Sequence, residues 1–296
     1  MTNKAFEDKY SDYLAEFISY AKSVFQNVTT DSRLAEAMKY SFFAGGKRIR
    51  PVLMLAFNEV LSGKIENIMP FAFALECIHT YSLIHDDLPA LDNDLLRRGK
   101  PSCHAAFGEA TAILAGDALL NFAFEHTLKS VKDERQIKAL SYLAECSGYS
   151  GMLGGQMEDI ENEKSKGLKA DYTDGDKETL LNSIYEKKTG KFLTAPFKIA
   201  AIISDDSKIE LAEKIGSLFG RAFQYADDLK DIYLTPEQTG KSAGKDEAEG
   251  KLTSVAVYGA DKVKRLVSEY ENQIENLLKS LDNSEFLRVL TKSVLK

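Results

Sequence analysis

Apolar residues recur at three- and four-residue intervals along nearly the whole chain. Tyr13, Phe17, Ile18, Tyr20, Ala21 and Phe25 do so early, and Leu211, Ile215, Leu218, Phe219 and Ala222 repeat the pattern later. Alternation with a period of two is hard to find, so the pattern predicts helices. Breaks at Ala44-Gly45-Gly46, Ser62-Gly63, Arg98-Gly99-Lys100-Pro101, Gly154-Gly155, Thr189-Gly190, Ser204–Ser207 and Thr239-Gly240 divide the chain into roughly ten helical segments. Their lengths suit antiparallel neighbours in a bundle. Glu161–Lys177 and Thr235–Gly250 read as loops. The longest apolar run, Ile68 to Ile84, is interrupted by Glu76 and His79 and ends on His85-Asp86-Asp87, the pattern of a buried helix and not of a bilayer span. The expected fold is all-α, one domain over residues 1–296.

Composition agrees. Nineteen glycines and six prolines among 296 residues argue against turn-rich β architecture, and a 44% hydrophobic content suffices for a large core. A formal net charge of -7 argues against a general nucleic-acid surface, which needs a broad basic face. Cys77, Cys103 and Cys146 are widely spaced and suggest a reducing compartment, with Cys77 and Cys103 read as small buried hydrophobes. Met1–Tyr10 carries four charged residues and no apolar stretch, so a cytosolic chain without a signal peptide is expected.

Two acidic clusters close apolar segments. Asp227 and Asp231 are four residues apart, which puts both carboxylates on one helix face about 6 Å apart, beside the apolar Phe219, Ala222, Phe223 and Ala226. Like charges so placed repel unless a cation joins them. Asp86 and Asp92 are six apart, and Pro89 disfavours helical backbone at Leu88, so the helix should break there and let Asp92 fold back beside Asp86. Hard oxygen ligands in pairs suit magnesium completed by water and phosphate. Two solvated helix ends are the competing reading.

Basic clusters flank them. Gly45-Gly46-Lys47-Arg48-Ile49-Arg50-Pro51 sets three cations beside two permissive glycines, and Arg97-Arg98-Gly99-Lys100 repeats that chemistry. Lys187-Lys188-Thr189-Gly190-Lys191 is a third cluster; Lys241, Lys245 and Lys251 form a fourth. A negative chain that collects cations at its helix ends is arranged for a diphosphate bridged by magnesium.

This ordered set, from about Ala35 to Tyr258, resembles the short-chain polyprenyl diphosphate synthases, in particular the bacterial farnesyl diphosphate synthases. The motifs are Asp86-Asp87-Leu88-Pro89-Ala90-Leu91-Asp92, with the two-residue insertion of bacterial members, and Phe223-Gln224-Tyr225-Ala226-Asp227-Asp228-Leu229-Lys230-Asp231. The resemblance implies a helical isoprenoid synthase fold around a deep central cavity and a homodimer. It implies that Lys47, Arg50 and His79 hold isopentenyl diphosphate with help from Arg98. Arg97, Lys188, Lys241 and Lys251 would grip the allylic diphosphate, with Thr189 and Gln224 near the carbon that becomes cationic. Asp86, Asp87, Asp92, Asp227 and Asp231 would hold about two to three magnesium ions. Tyr81, five residues before Asp86, would form the floor that limits the product to farnesyl diphosphate, whereas its small neighbour Ser82 would not block. Alternatives are a geranylgeranyl diphosphate synthase, a metal-dependent phosphohydrolase built on His85-Asp86, and a partner subunit without turnover.

Overall fold

Helices begin where a short polar side chain precedes an apolar period. Thr2, Ser32 and Thr173 each accept a first-turn backbone N–H at 3.2 Å. A computed structural model describes residues 1–28, 32–164, 172–233 and 251–296. The all-α expectation is borne out. Among the described residues lie twelve helices of ten or more residues, two single-turn helices and one minimal hairpin. They gather into two compact units, Thr2–Leu140, and Ser141–Lys296 with Met1.

The N-terminal unit contains α1 (Asn3–Gln26), α2 (Arg33–Phe42), α3 (Ile49–Val60), α4 (Ile65–Asp86), the hairpin β1 (Leu96–Arg97) and β2 (Lys100–Pro101), α5 (Cys103–Phe107), α6 (Glu109–Ser130) and the start of α7 (Glu134–Ser147). Helix α4 is its axis: Ile68–Ile78 is buried on every side, as a helix apolar all round must be, with α3 and α6 against it. Phe25 of α1 meets Phe42, Phe43, Phe73 and Phe122 at ring-centroid distances of 5.0, 5.3, 5.7 and 5.7 Å. Each fully buried ring stabilises the fold by about 2 kcal/mol. Inside this apolar body Arg48 and Glu76 form an ion pair at 2.5 Å, each side chain 2% exposed. The Arg48 guanidinium also donates to the Phe42 carbonyl and lies 5.3 Å from the Phe42 ring. Removing either partner strands the other charge in the core, so the pair locks the Gly45–Arg50 loop to α4.

The C-terminal unit contains α8 (Met152–Lys164), α9 (Asp174–Ile184), a π-helical turn at Tyr185–Gly190, α10 (Lys191–Ser204), α11 (Ile209–Tyr233), α12 (Ser254–Tyr258), α13 (Ala260–Lys279) and α14 (Glu285–Leu295). Helix α11 packs on α10 and α13, and Leu181, Ile184, Tyr185, Tyr225 and Val263 form one core cluster. The loop expected at Glu161–Lys177 is shorter than read. Its acidic start belongs to α8, and its end opens α9 through a capping box in which Thr173 N–H donates to Asp176 Oδ2 at 3.0 Å. The Thr235–Gly250 expectation lies outside the described residues. No described helix is long and apolar enough to cross a membrane.

Candidate active site

Chain geometry around Asp86 follows from Pro89. Helix α4 ends at Asp86, and the turn that follows brings the Asp92 N–H back to the Asp86 carbonyl at 2.9 Å, with Leu88 N–H on the His85 carbonyl at 3.1 Å. The expected return of Asp92 beside Asp86 is thus present in the backbone. Asp87, expected among the metal ligands, is engaged by an arginine. Its carboxylate, 2% exposed, accepts Arg97 Nε at 3.0 and 3.1 Å and also takes the Arg97 Nη2. A buried carboxylate needs such a fork, and the fork in turn orients Arg97.

The hairpin carrying Arg97 turns through Arg98 and Gly99, whose φ of 55° and 74° give the type I′ pattern. Arg98 donates to the Gly45 carbonyl, and its guanidinium lies so close over Gly46 that a Cβ there would stand 2.6 Å from Cζ. A Cβ at Gly46 would make the end of the Arg98 side chain shift, and the φ of +104° there is what calls for glycine. Arg50 sits behind this contact. Burial lowers its pKa to about 10; Glu76 opposes the fall and Arg98 adds to it. His79, on α4, is held well below the usual imidazole range by burial first and then by Arg50, Arg98, Arg48 and Arg97, so its ring is neutral at pH 7. Lys47 is exposed, and its carbonyl accepts the Tyr10 hydroxyl. Lys47, Arg50, His79, Arg97 and Arg98 therefore share one locality of the N-terminal unit.

Tyr81 points elsewhere on α4. It is 2% exposed, its hydroxyl is buried without a hydrogen-bond partner among the described residues, and burial pushes its pKa up to about 12 with Asp86 and Asp117 adding to it. Its ring meets His85 edge-on at 5.5 Å. His85 Nε2 lies 3.0 Å from the Ile113 carbonyl, in hydrogen-bond contact. Ser82 Oγ donates to the His79 carbonyl at 3.0 Å.

In the C-terminal unit the π-helical turn carries Lys188 and Thr189, and such turns widen the backbone where function needs a side chain re-aimed. Helix α8 nests against it at Gly155, where a Cβ would stand 2.2 Å from Lys188 N. From the same helix Glu158 pairs with Lys187, and Asp159, 8% exposed, holds Lys188 Nζ at 2.5 Å. Neither acid was singled out for this from sequence, though Gly154-Gly155-Gln156 stands just before them. On α11 Asp227 is exposed while Gln224 and Asp231 are half-buried, above the buried Phe219, Ala222 and Ala226. Lys251 stands 3.7 Å from Glu163, and Lys241 lies outside the described residues. Asp228 accepts Ser254 Oγ at 2.5 Å and Ser254 N–H at 2.6 Å, together with the Tyr185 hydroxyl. Burial raises its pKa to about 6 against the pull of those donors.

Among the described residues no three His, Cys, Asp or Glu side chains form a protein-only metal cage. Carboxylates in pairs are what magnesium uses when substrate phosphate and water complete its shell, so the residues present fit that ion.

Residues 31–289 match the family model described as polyprenyl synthetase. The chain belongs to that family. A farnesyl diphosphate synthase of Micrococcus luteus is 42% identical over 254 residues, 84% of each chain. The heterodimeric geranylgeranyl pyrophosphate synthase large subunit 1 of Arabidopsis thaliana, a chloroplastic protein, is 39% identical over 292 residues, covering 93% of this chain and 77% of its own. A solved structure of a geranyltransferase from Legionella pneumophila matches with a TM-score of 0.85 at 29% identity, over 99% of this chain and 96% of that one. The polyprenyl synthetase is an enzyme, a prenyltransferase of isoprenoid biosynthesis. Named relatives divide between farnesyl and geranylgeranyl products.

Proposed function

We propose that this enzyme condenses isopentenyl diphosphate with an allylic diphosphate, dimethylallyl and then geranyl, and releases farnesyl diphosphate. The observation that carries the product length is Tyr81, a buried ring five residues before Asp86 on one helix, about 7.5 Å along its axis. That depth is comparable with one to two isoprene units. The reading includes a cytoplasmic homodimer.

In this reading the Arg50 fork, Lys47 and neutral His79 bind isopentenyl diphosphate, and His79 contributes a hydrogen bond without adding another charge to a crowded cationic site. Arg98, pinned over Gly46, assists. Arg97, oriented by Asp87, and Lys188, oriented by Asp159, grip the allylic diphosphate with Lys241 and Lys251. Asp86, Asp92, Asp227 and Asp231 are the residues that hold magnesium, which when bound supplies neutralisation of charge on the departing diphosphate. Thr189 and Gln224 turn oxygen toward the allylic carbon as it becomes cationic. Apolar helices wall the acyclic chain from water, which would quench that cation. The departing diphosphate, still held by the cationic side chains, accepts the proton lost after carbon–carbon bond formation. No side-chain nucleophile is required.

The test is to incubate the protein with isopentenyl diphosphate, geranyl diphosphate and magnesium and to weigh the products. A C15 diphosphate is expected. A C20 product would favour the second reading, geranylgeranyl diphosphate, which the Arabidopsis relative supports. Phosphate release without condensation would sink both.

Arg50→Lys keeps the charge and loses the two-pronged donor, so the KM for isopentenyl diphosphate should rise about tenfold while that for geranyl diphosphate stays within twofold. Steady-state kinetics with each substrate varied in turn checks this. The reverse pattern would exchange the two assignments.

A further inference from the structure

Asp228 belongs to the second acidic motif, yet the reading above gives it no ligand to hold. Its surroundings explain why. One oxygen, Oδ2, collects Ser254 N–H at 2.6 Å, Ser254 Oγ at 2.5 Å and the Tyr185 hydroxyl, and Ser254 N–H is also 3.0 Å from Tyr185 Oη. Ser254 is fully buried and Tyr185 is 7% exposed. Leu181, Ile184, Tyr225 and Val263 pack around them. A carboxylate in such a place is tolerated only because its hydrogen bonds are made, so the three donors are committed to it.

The donors come from segments far apart in sequence. Tyr185 opens the π-helical turn three residues before Lys188 and four before Thr189. Ser254 opens α12 three residues after Lys251. Asp228 itself adjoins Asp227 and stands three before Asp231 on α11. Among the described residues, the three backbone segments of this unit that carry Lys188 and Thr189, Lys251, and Asp227 with Asp231 are thus tied to one oxygen atom.

We propose that the Asp228–Tyr185–Ser254 node is a positioning device, which sets Lys188, Thr189 and Lys251 at fixed distances from Asp227 and Asp231 and so determines affinity for the magnesium-bound allylic diphosphate. The inference rests on the functional reading above. The proposed isopentenyl contacts, Lys47, Arg50 and His79, all lie in the N-terminal unit, and the node lies wholly in the C-terminal one. Loss of the node therefore separates the two substrates.

Tyr185→Phe and Ser254→Ala each remove a hydroxyl and add no volume. Hydrogen bonds to a charged acceptor are strong enough that each variant should raise the KM for geranyl diphosphate and the magnesium requirement about tenfold. The KM for isopentenyl diphosphate should stay within twofold. Calorimetric titration with geranyl thiolodiphosphate and magnesium reads the same loss without turnover, again about tenfold in Kd. Tyr258→Phe is the control, since its hydroxyl donates to Glu178 at 2.9 Å outside the node. Unchanged analogue affinity in both node variants would overturn the proposal. So would equal losses for both substrates, or the same loss in Tyr258→Phe, because each of these marks general loosening. Wild-type protein that binds the analogue but does not condense it brings down the functional reading while the node still stands or falls on the variants' Kd.

Discussion

Asp86→Ala should lower turnover by roughly 100- to 1,000-fold at saturating magnesium, and Asp227→Ala should do the same, with the melting temperature unchanged or slightly higher. Both carboxylates stand near acidic neighbours, so removing one relieves repulsion as well as deleting a metal ligand. Asp87→Ala is the internal comparison. Its carboxylate is 2% exposed and forked onto Arg97, so its loss leaves a largely buried guanidinium with only the more distant Asp94 at 3.8 Å and should cost about 3 kcal/mol of stability. Adjacent aspartates thus separate by readout: one variant folds and does not turn over, the other melts early. Thermal melts beside steady-state rates decide it. An Asp86 or Asp227 variant that keeps turnover within threefold of the parent protein would show that the pairs do not hold the ion.

Tyr81→Ala should shift the product from C15 toward C20 and longer chains. The ring is 2% exposed and takes up the space along α4 beneath Asp86, and its hydroxyl has no hydrogen-bond partner among the described residues. Its removal therefore strands no polar group, and the cost is that of a large-to-small change, about 3 kcal/mol for a site that cannot collapse. In the proposed reading a growing prenyl chain would fill that space. Tyr81→Phe keeps the bulk and should leave the C15 product in place with stability equal or improved. Mass analysis after full conversion separates the outcomes. Unchanged chain length in Tyr81→Ala would move the floor to other residues and remove the support that this ring gives to farnesyl over geranylgeranyl diphosphate.

The features visible in the sequence were local ones. Helix α4 announced itself because an apolar run of that length, interrupted only by a few polar residues such as Glu76 and His79, has few other uses, and the break after Asp86 followed from Pro89 acting on the residue before it. Spacing alone set Asp227 and Asp231 on one turn of α11. The features that stayed hidden are contacts between distant positions. Arg48 meets Glu76 across 28 residues, Lys188 meets Asp159 across 29 and Ser254 meets Tyr185 across 69. No period or turn signal encodes such pairs. The π-helical turn at Tyr185–Gly190 has no composition that distinguishes it from an ordinary helix, and the hairpin at Arg98-Gly99 is too short to alternate. The Asp87–Arg97 contact was hidden for the same reason: nothing in the run of acids shows which one turns inward to an arginine ten residues on.

The crowding of cations around His79 has a thermodynamic side. Burial depresses that imidazole first and Arg50, Arg98, Arg48 and Arg97 add to it, while burial and then Arg98 lower Arg50, so beyond the charge that Glu76 and Asp87 offset the fold holds part of this corner against its own field. In the proposed reading a diphosphate that enters does two things at once: it gains its own contacts and it relaxes a repulsion already present. Binding and folding are then one linked equilibrium, worth about 2.7 kcal/mol to the native state when ligand stands a hundredfold above its Kd. Substrate supply thereby becomes a determinant of how long each copy of the enzyme survives heat and proteolysis.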